Sequence, residues 1–365
     1  MEPRAPVYYA EYLQLDRLLG AQAPESERRG RPVHDEHLFI IVHQAYELWF
    51  KQILFELDAV LALFRAPAID EKDMGSAVAH LRRIVQIERV LVAQIDVLET
   101  MTPLDFLDFR SFLVPASGFQ SVQFRLLENR LGLPSSVRMK IEGASYTSRL
   151  RDADRRVIEK DEKRPSLLAL VDRWLARTPF LQLGAFDFWR EYRAAVTATL
   201  ERDRAQVMAN RALGDAERRA LLARFAANDA HFETLLDRGK HDELRAAGER
   251  RFSHEALLAA LLINLYRDEP ILQLPFLLLQ SLMDVDEGLT SWRHRHALMA
   301  WRMIGSKVGT GGTSGTDYLR DAAERYKVFT DLFNLSTFLL PRSALPALPP
   351  EVKREMGFRL SEETD

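Results

Sequence analysis

Between residues 38 and 64, apolar residues recur at steps of three and four: Leu38, Ile41, Val42, Ala45, Leu48, Trp49, Ile53 and Phe55. Each residue of an α-helix turns by about 100°, so this spacing gathers them along one side, whereas a strand would require strict alternation. Residues 77–98 repeat the habit with Leu81, Ile84, Val85, Ile87, Val90, Leu91 and Ile95. Convincing alternation is hard to find elsewhere, and the chain carries only 17 Gly and 16 Pro. The prolines at 103, 115, 134, 165, 179 and 270 stand where helices would begin or stop. The expected fold is all-α, a helical bundle.

The chain has 365 residues, 47% of them hydrophobic, which is ample for a packed core. Its 50 Lys and Arg nearly cancel 53 Asp and Glu, leaving a formal charge of −3. That balance argues against a nucleic-acid binder or a polybasic membrane patch. The absence of cysteine removes disulfides, thiolate nucleophiles, iron–sulfur clusters and zinc-thiolate sites, and suits a reducing compartment. The most apolar stretches, 256–266 and 271–283, fall short of the ~20 residues that cross a bilayer, and Pro275 interrupts the second. With no apolar run of signal length at residues 1–10, the expectation is a soluble, cytoplasmic protein with neither membrane nor nucleic-acid partner.

Residues 152–251 are rich in Arg, Glu and Ala, which predicts solvated helices carrying charge pairs one turn apart. We expect one domain over 1–365, with these residues as a smaller charged helical appendage and a loose tail after 342. Glycine clusters once, in Gly305-Ser-Lys-Val-Gly-Thr-Gly-Gly-Thr-Ser-Gly315. Lys307 precedes the cluster where a phosphate loop needs it after, and Ser314 stands where a dinucleotide fingerprint needs glycine. What remains is a loop rich in backbone N–H groups and hydroxyls, able to close over something small.

Histidine is the informative residue type. His34 and His37 stand at i,i+3 before a helix, where Asp35 and Glu36 suit the N-terminal dipole. His80, His241 and His254 lie in polar helical contexts and are expected at the surface. His43 differs, because helical spacing stacks Phe39, His43, Tyr46 and Phe50 along one side. A hydrogen-bonded core histidine and a ligand both satisfy that pattern. His294 and His296 are about 200° apart around a helix, so only one can face a given pocket. His296 is followed by Met299 and Met303 on its side. With cysteine absent, a histidine is the natural axial ligand for any haem, although periodicity does not specify haem. Phe106 and Arg110 share another helix face, which suits a planar carboxylate beside an aromatic ring. A salt bridge from Arg110 to Asp105 or Asp108 fits the same residues.

Longer blocks carry a resemblance. They include Tyr12-Leu-Gln-Leu-Asp, the run from His34 to Leu54 and Leu98-Glu-Thr-Met-Thr-Pro-Leu-Asp-Phe-Leu-Asp-Phe-Arg. Further on come the run from Pro115 to Asn129, Gly305-Ser-Lys-Val-Gly-Thr-Gly-Gly and the run from Arg325 to Arg342. Ordered from residue 12 to 342, they make the chain resemble the tryptophan 2,3-dioxygenase family, haem enzymes that open the indole ring of L-tryptophan with O2.

The resemblance implies haem b, ferrous in the active form, with His296 as its axial iron ligand and Ser117 and Gly118 close to it. It implies His43 as the catalytic residue facing the indole N–H, with Phe39 and Phe106 lining the indole pocket. Arg110 would clamp the substrate carboxylate, and Thr310 would touch both carboxylate and ammonium. Tyr9, Tyr12 and Leu13 would come from a neighbour's N-terminal arm in a homotetramer, a dimer of dimers. Two positions depart from the family pattern: His294 stands where tyrosine is usual, and the glycine loop runs to Thr316 rather than tyrosine. Three alternatives stay open at this level. They are an indoleamine 2,3-dioxygenase-like enzyme of broader indole specificity, a non-catalytic helical haem sensor, and a non-haem iron dioxygenase using His231 and Glu233.

Overall fold

The computed structural model describes residues 6–138, 145–148, 150–183, 186–307 and 315–357. The chain enters through three short helices, α1 (Tyr9–Leu13), α2 (Leu15–Leu19) and α3 (Glu25–Arg28). Gln14, at φ 52°, breaks α1 from α2, and neither helix has a buried residue. The helix that follows, α4 (His34–Arg65), sends Glu36 back to α3. The Glu36 carboxylate accepts the amides of Glu25 and Ser26 at 2.8 and 2.9 Å. It therefore satisfies donors left over at the start of α3 rather than serving only its own helix dipole.

Three long helices make the frame: α4, α5 (Glu71–Leu98) and α14 (Pro270–Ile304), with α5 packed against both of the others. The 3.6-residue period delivers Leu57, Val60, Leu61 and Phe64 of α4 and Leu81, Ile84, Leu91 and Ile95 of α5 to one shared core. Truncating a side chain as enclosed as Phe64 to alanine costs about 3–5 kcal/mol. Pro275 does not stop α14. It lies inside that helix, near its start, and Pro270 occupies the first turn, where no N–H is needed.

Between α5 and α14 the chain forms α6 (Pro103–Arg110) and α7 (Val122–Leu131), then α8 (Asp152–Glu162) and α9 (Leu167–Leu175). After a two-residue antiparallel pairing of Gln182–Leu183 with Phe186–Asp187 come α10 (Phe188–Ala209), α11 (Asp215–Leu236), α12 (Arg238–Ala246) and α13 (His254–Leu265). The charged composition of this region is expressed unevenly. α10 buries only Phe188, Tyr192 and Val196, whereas α9 places Leu167, Leu170, Val171 and Leu175 in the main core. α13 is buried on nearly every side, as expected of a helix that is apolar all round. The described chain ends with α15 (Gly315–Arg325), α16 (Thr330–Asn334) and α17 (Pro350–Met356).

Two expectations are corrected here. His241 and His254 are not surface residues: both are buried, their rings 5.2 Å apart, and each binds a carbonyl through Nε2, of Phe252 and Leu235 respectively. His80 is half-buried against the Glu56 carboxylate at 2.6 Å. Nor is the described tail loose, because Leu348, Val352 and Met356 insert into the core. Their apolar side chains gain more from burial than the polar sequence around them suggests. Among the described residues no helix is long and apolar enough to cross a membrane.

Candidate active site

α6 opens with a capping box, in which Thr102 Oγ1 accepts the amide of Asp105 and the Asp105 carboxylate accepts the amide of Thr102 at 2.9 Å. Arg110, at the end of the same helix, lines a cavity of about 310 Å³. Phe106, one turn earlier, lines the same wall. A second cap follows: Ser117 Oγ receives the amide of Phe119 and holds the turn Gly118–Gln120. Both Ser117 and Gly118 face the cavity, and a Cβ added at Gly118 would meet nothing within 4 Å.

α4 supplies Phe39, His43, Tyr46 and Phe50, all four on the cavity wall, as their spacing predicts. The rings of Phe39 and His43 lie 4.0 Å apart, and Phe106 stands 5.7 Å from Phe39. His43 Nδ1 is 2.7 Å from the Phe39 carbonyl oxygen. A carbonyl only accepts, so Nδ1 carries the proton and Nε2 keeps its lone pair. His43 is exposed where it lines the cavity, yet desolvation by the protein around it lowers its pKa against the opposing effects of the Phe39 carbonyl and Glu47.

α14 supplies the opposite wall through His296, Met299, Ala300, Met303 and Ile304. Burial, then the proximity of His43, pushes His296 down to about 4, so both imidazoles are neutral at pH 7. Trp292, one turn before His296, stacks on its ring at 5.3 Å with 5° between the planes. His294 is exposed and lies outside the cavity lining, as the helical angle requires.

Beyond the aromatic walls the cavity meets buried charge. Arg125 and Glu128 pair at 2.7 Å, and Arg293 reaches Glu128 at 3.3 Å and the Tyr326 carbonyl at 2.9 Å. Burial alone would raise the Glu128 carboxyl, but Arg125, Arg293 and Arg138 outweigh it and hold the pKa below the usual carboxylate range. The Nε atoms of Arg125 and Arg293 are buried and make no hydrogen bond. These residues, with Trp292, Tyr318 and Tyr326, escape a reading of the sequence. Only Trp292 left a helical signal, its i,i+4 relation to His296; a charged residue inside a helical block reads as surface.

The cavity therefore brings together Phe39, His43, Phe106, Arg110, Ser117, Gly118 and His296. Tyr9, Tyr12 and Leu13 lie elsewhere, exposed on the N-terminal arm. Thr310 falls outside the described residues, and of Thr316 only its place in α15 is described. His231 is exposed and Glu233 pairs with Lys240 at 3.5 Å, so those two do not build an iron site, and no cluster suited to a bare metal ion occurs among the described residues. The cavity residues do fit a haem. There is one neutral imidazole without a hydrogen-bond partner, broad apolar walls for a flat macrocycle, and unpartnered guanidinium nitrogens suited to anionic side groups.

The family model described as tryptophan 2,3-dioxygenase matches residues 2–339. The chain is 50% identical over 353 residues to the tryptophan 2,3-dioxygenase of Bdellovibrio bacteriovorus, covering 97% of this chain and 98% of that one. It is 47% identical to the tryptophan 2,3-dioxygenase of Dictyostelium discoideum (97% and 89% covered) and 48% identical to that of Xenopus laevis (95% and 85%). Agreement that runs through the cavity-lining helices and nearly end to end leaves no room for a local motif match: the chain belongs to the tryptophan 2,3-dioxygenase family.

Proposed function

We propose that this chain uses haem b, held through His296, to insert both atoms of O2 across the indole C2–C3 bond of L-tryptophan. The product is N-formyl-L-kynurenine, the first step of tryptophan catabolism by the kynurenine pathway. The observation that carries the reading is two neutral histidines, from α4 and α14, on one apolar cavity whose wall also holds Arg110.

Haem supplies the binding and activation of O2 that no side chain provides. The protein supplies position. Arg110 takes the substrate carboxylate in a charge-assisted bond, and Phe39 and Phe106 flank the indole. His43 Nε2, the bare nitrogen of the ring, accepts the indole N–H and sets the rotation of the bicycle. An indole N–H is a far weaker acid than an imidazolium, so His43 acts as an acceptor and not as a base that removes the proton outright. The apolar walls exclude water, which strengthens both polar contacts.

The same reading accounts for the arm. Val7, Tyr8, Tyr9, Tyr12 and Leu19 are each at least 70% exposed, an apolar surface that a neighbouring copy would cover. In the homotetramer, Tyr9, Tyr12 and Leu13 would complete the neighbour's pocket, in a cytoplasmic enzyme. The test is to purify the protein with haem and follow N-formylkynurenine from L-tryptophan under air. Haem without turnover would indicate a sensor, equal kcat/KM for other indoles would indicate an indoleamine-type enzyme, and turnover with iron but no haem would overturn the cofactor.

A further inference from the structure

Away from the cavity, α12 is fastened to the core by a titratable ring. His241 is its only buried side chain, with Leu244 half-buried and the rest exposed, so an imidazole does the docking that an apolar residue usually does. His241 Nε2 donates to the Phe252 carbonyl at 3.0 Å, in the link to α13. His254, the first residue of α13, donates through Nε2 to the Leu235 carbonyl at 2.8 Å, near the end of α11. The two rings, 5.2 Å apart, therefore join α11, α12 and α13 at one buried point. A carbonyl only accepts, so each Nε2 holds the proton of its neutral ring and a second proton must go to Nδ1. His241 Nδ1 is buried and has no hydrogen-bond partner among the described residues.

The surroundings oppose that second proton. Burial lowers the His241 pKa, and His254 and Arg250 lower it further, against the Phe252 carbonyl and Asp331. Asp331, on α16, already accepts the amides of Arg251 and Phe252 through Oδ2, at 2.7 and 2.8 Å. Other charges around the pair are engaged with one another. Arg245 of α12 lies 3.9 Å from Asp172 of α9, Arg238 lies 2.8 Å from Glu255 of α13, and Lys240 lies 3.5 Å from Glu233 of α11. From α10, Arg193 donates to the Leu236 carbonyl at 2.7 Å, and Trp189 meets the His254 ring edge-on. Histidine is the side chain whose ordinary titration falls between pH 5 and 8, so mild acid acts here on the imidazoles first.

We infer that His241 and His254 form an acid-released latch, which holds α12 against α13 while both rings are neutral and frees it when a ring is charged. A neutral pair satisfied by two carbonyls is compatible with burial, whereas an imidazolium with no acceptor at Nδ1 is not. Opening brings the rings into water, where they take up protons near pH 6.5. Because the open state binds the extra proton, docking weakens as pH falls below about 6.5, by up to about tenfold per pH unit for each ring.

The test is hydrogen–deuterium exchange of the full-length, haem-loaded protein, read by mass spectrometry at steps from about pH 7.5 to about pH 5.5 and corrected for the intrinsic rate at each pH. Peptides spanning 237–254 should lose protection by about tenfold or more across that range, while α4 and α5 keep theirs. His241→Gln retains an amide to donate to the Phe252 carbonyl but does not titrate, and it should remove most of the loss. If glutamine leaves α12 unprotected at neutral pH, His241→Phe, close to imidazole in shape and equally without titration, is the variant to use. No loss in wild type, a loss shared equally by α4 and α5, or a loss undiminished in the non-titrating variant overturns the latch. Protection that rises with acid also overturns it, because His241 would then have paired with the unpartnered Oδ1 of Asp331.

Discussion

Glu88 offers a test of the interior that does not involve the reaction. Its side chain is 1% exposed, and neither carboxylate oxygen has a hydrogen-bond partner. It fits only because Gly288 has no side chain: a Cβ there would lie 2.3 Å from Glu88 Oε2. Burial raises its pKa well above 4.5; Arg293 opposes the rise, and Asp286 and Asp284 add to it. The folded protein therefore holds a neutral acid where the unfolded chain, above pH 4.5, releases a proton. Because the native state binds the extra proton, this residue lowers stability as pH rises, by about 1.4 kcal/mol per pH unit between the unfolded and folded pKa values. Glu88→Gln removes the titration at nearly constant shape. Urea unfolding at pH 5, 6 and 7, at fixed protein concentration and equal haem content, should show the variant gaining on wild type by up to about 1.4 kcal/mol per unit. The absolute offset depends on the new amide, but the slope does not. A difference independent of pH, or one that moves against the variant as pH rises, would show that Glu88 is ionised in the fold and paired with Arg293.

Arg110→Ala removes a charge-assisted bond worth about 1.5–3 kcal/mol and should raise KM for L-tryptophan by roughly 10–150-fold while haem content stays constant; an unchanged KM would return Arg110 to a structural role. His296→Ala should lose haem on gel filtration, whereas His294→Ala, altering an exposed ring, should retain it. Replacing His43 with alanine should reduce kcat/KM several-fold, about 0.5–1.5 kcal/mol, with a smaller penalty for 1-methyltryptophan, which has no N–H to donate. Complete inactivity with haem retained would make His43 an obligatory base. Removing the arm through Leu13 should weaken assembly, read by light scattering, together with activity; a fully active monomer would refute the shared site.

The sequence by itself determined the helices, because a 3.6-residue period is a local property that any stretch of α4 or α5 displays. It also determined which member of each spaced set shares a face. Phe39, His43, Tyr46 and Phe50 line the cavity together, and His296 faces inward while His294 does not, since helical geometry alone sets those angles. Only the tertiary structure decided which faces meet. His43 and His296 look into one cavity because α5 packs against both α4 and α14, a matter of long-range packing with no local trace. The same holds for polar residues inside. His241 and His254 read as surface, and nothing in the sequence marks Glu36, Glu88, Arg125 or Glu128 as buried, because charge or polarity usually keeps a side chain in water, and only partners supplied by the fold, or a proton retained, allow them inside. Val352 and Met356 turned a polar tail into a docked one for the complementary reason: two apolar side chains need a core already built by the rest of the chain before their burial counts.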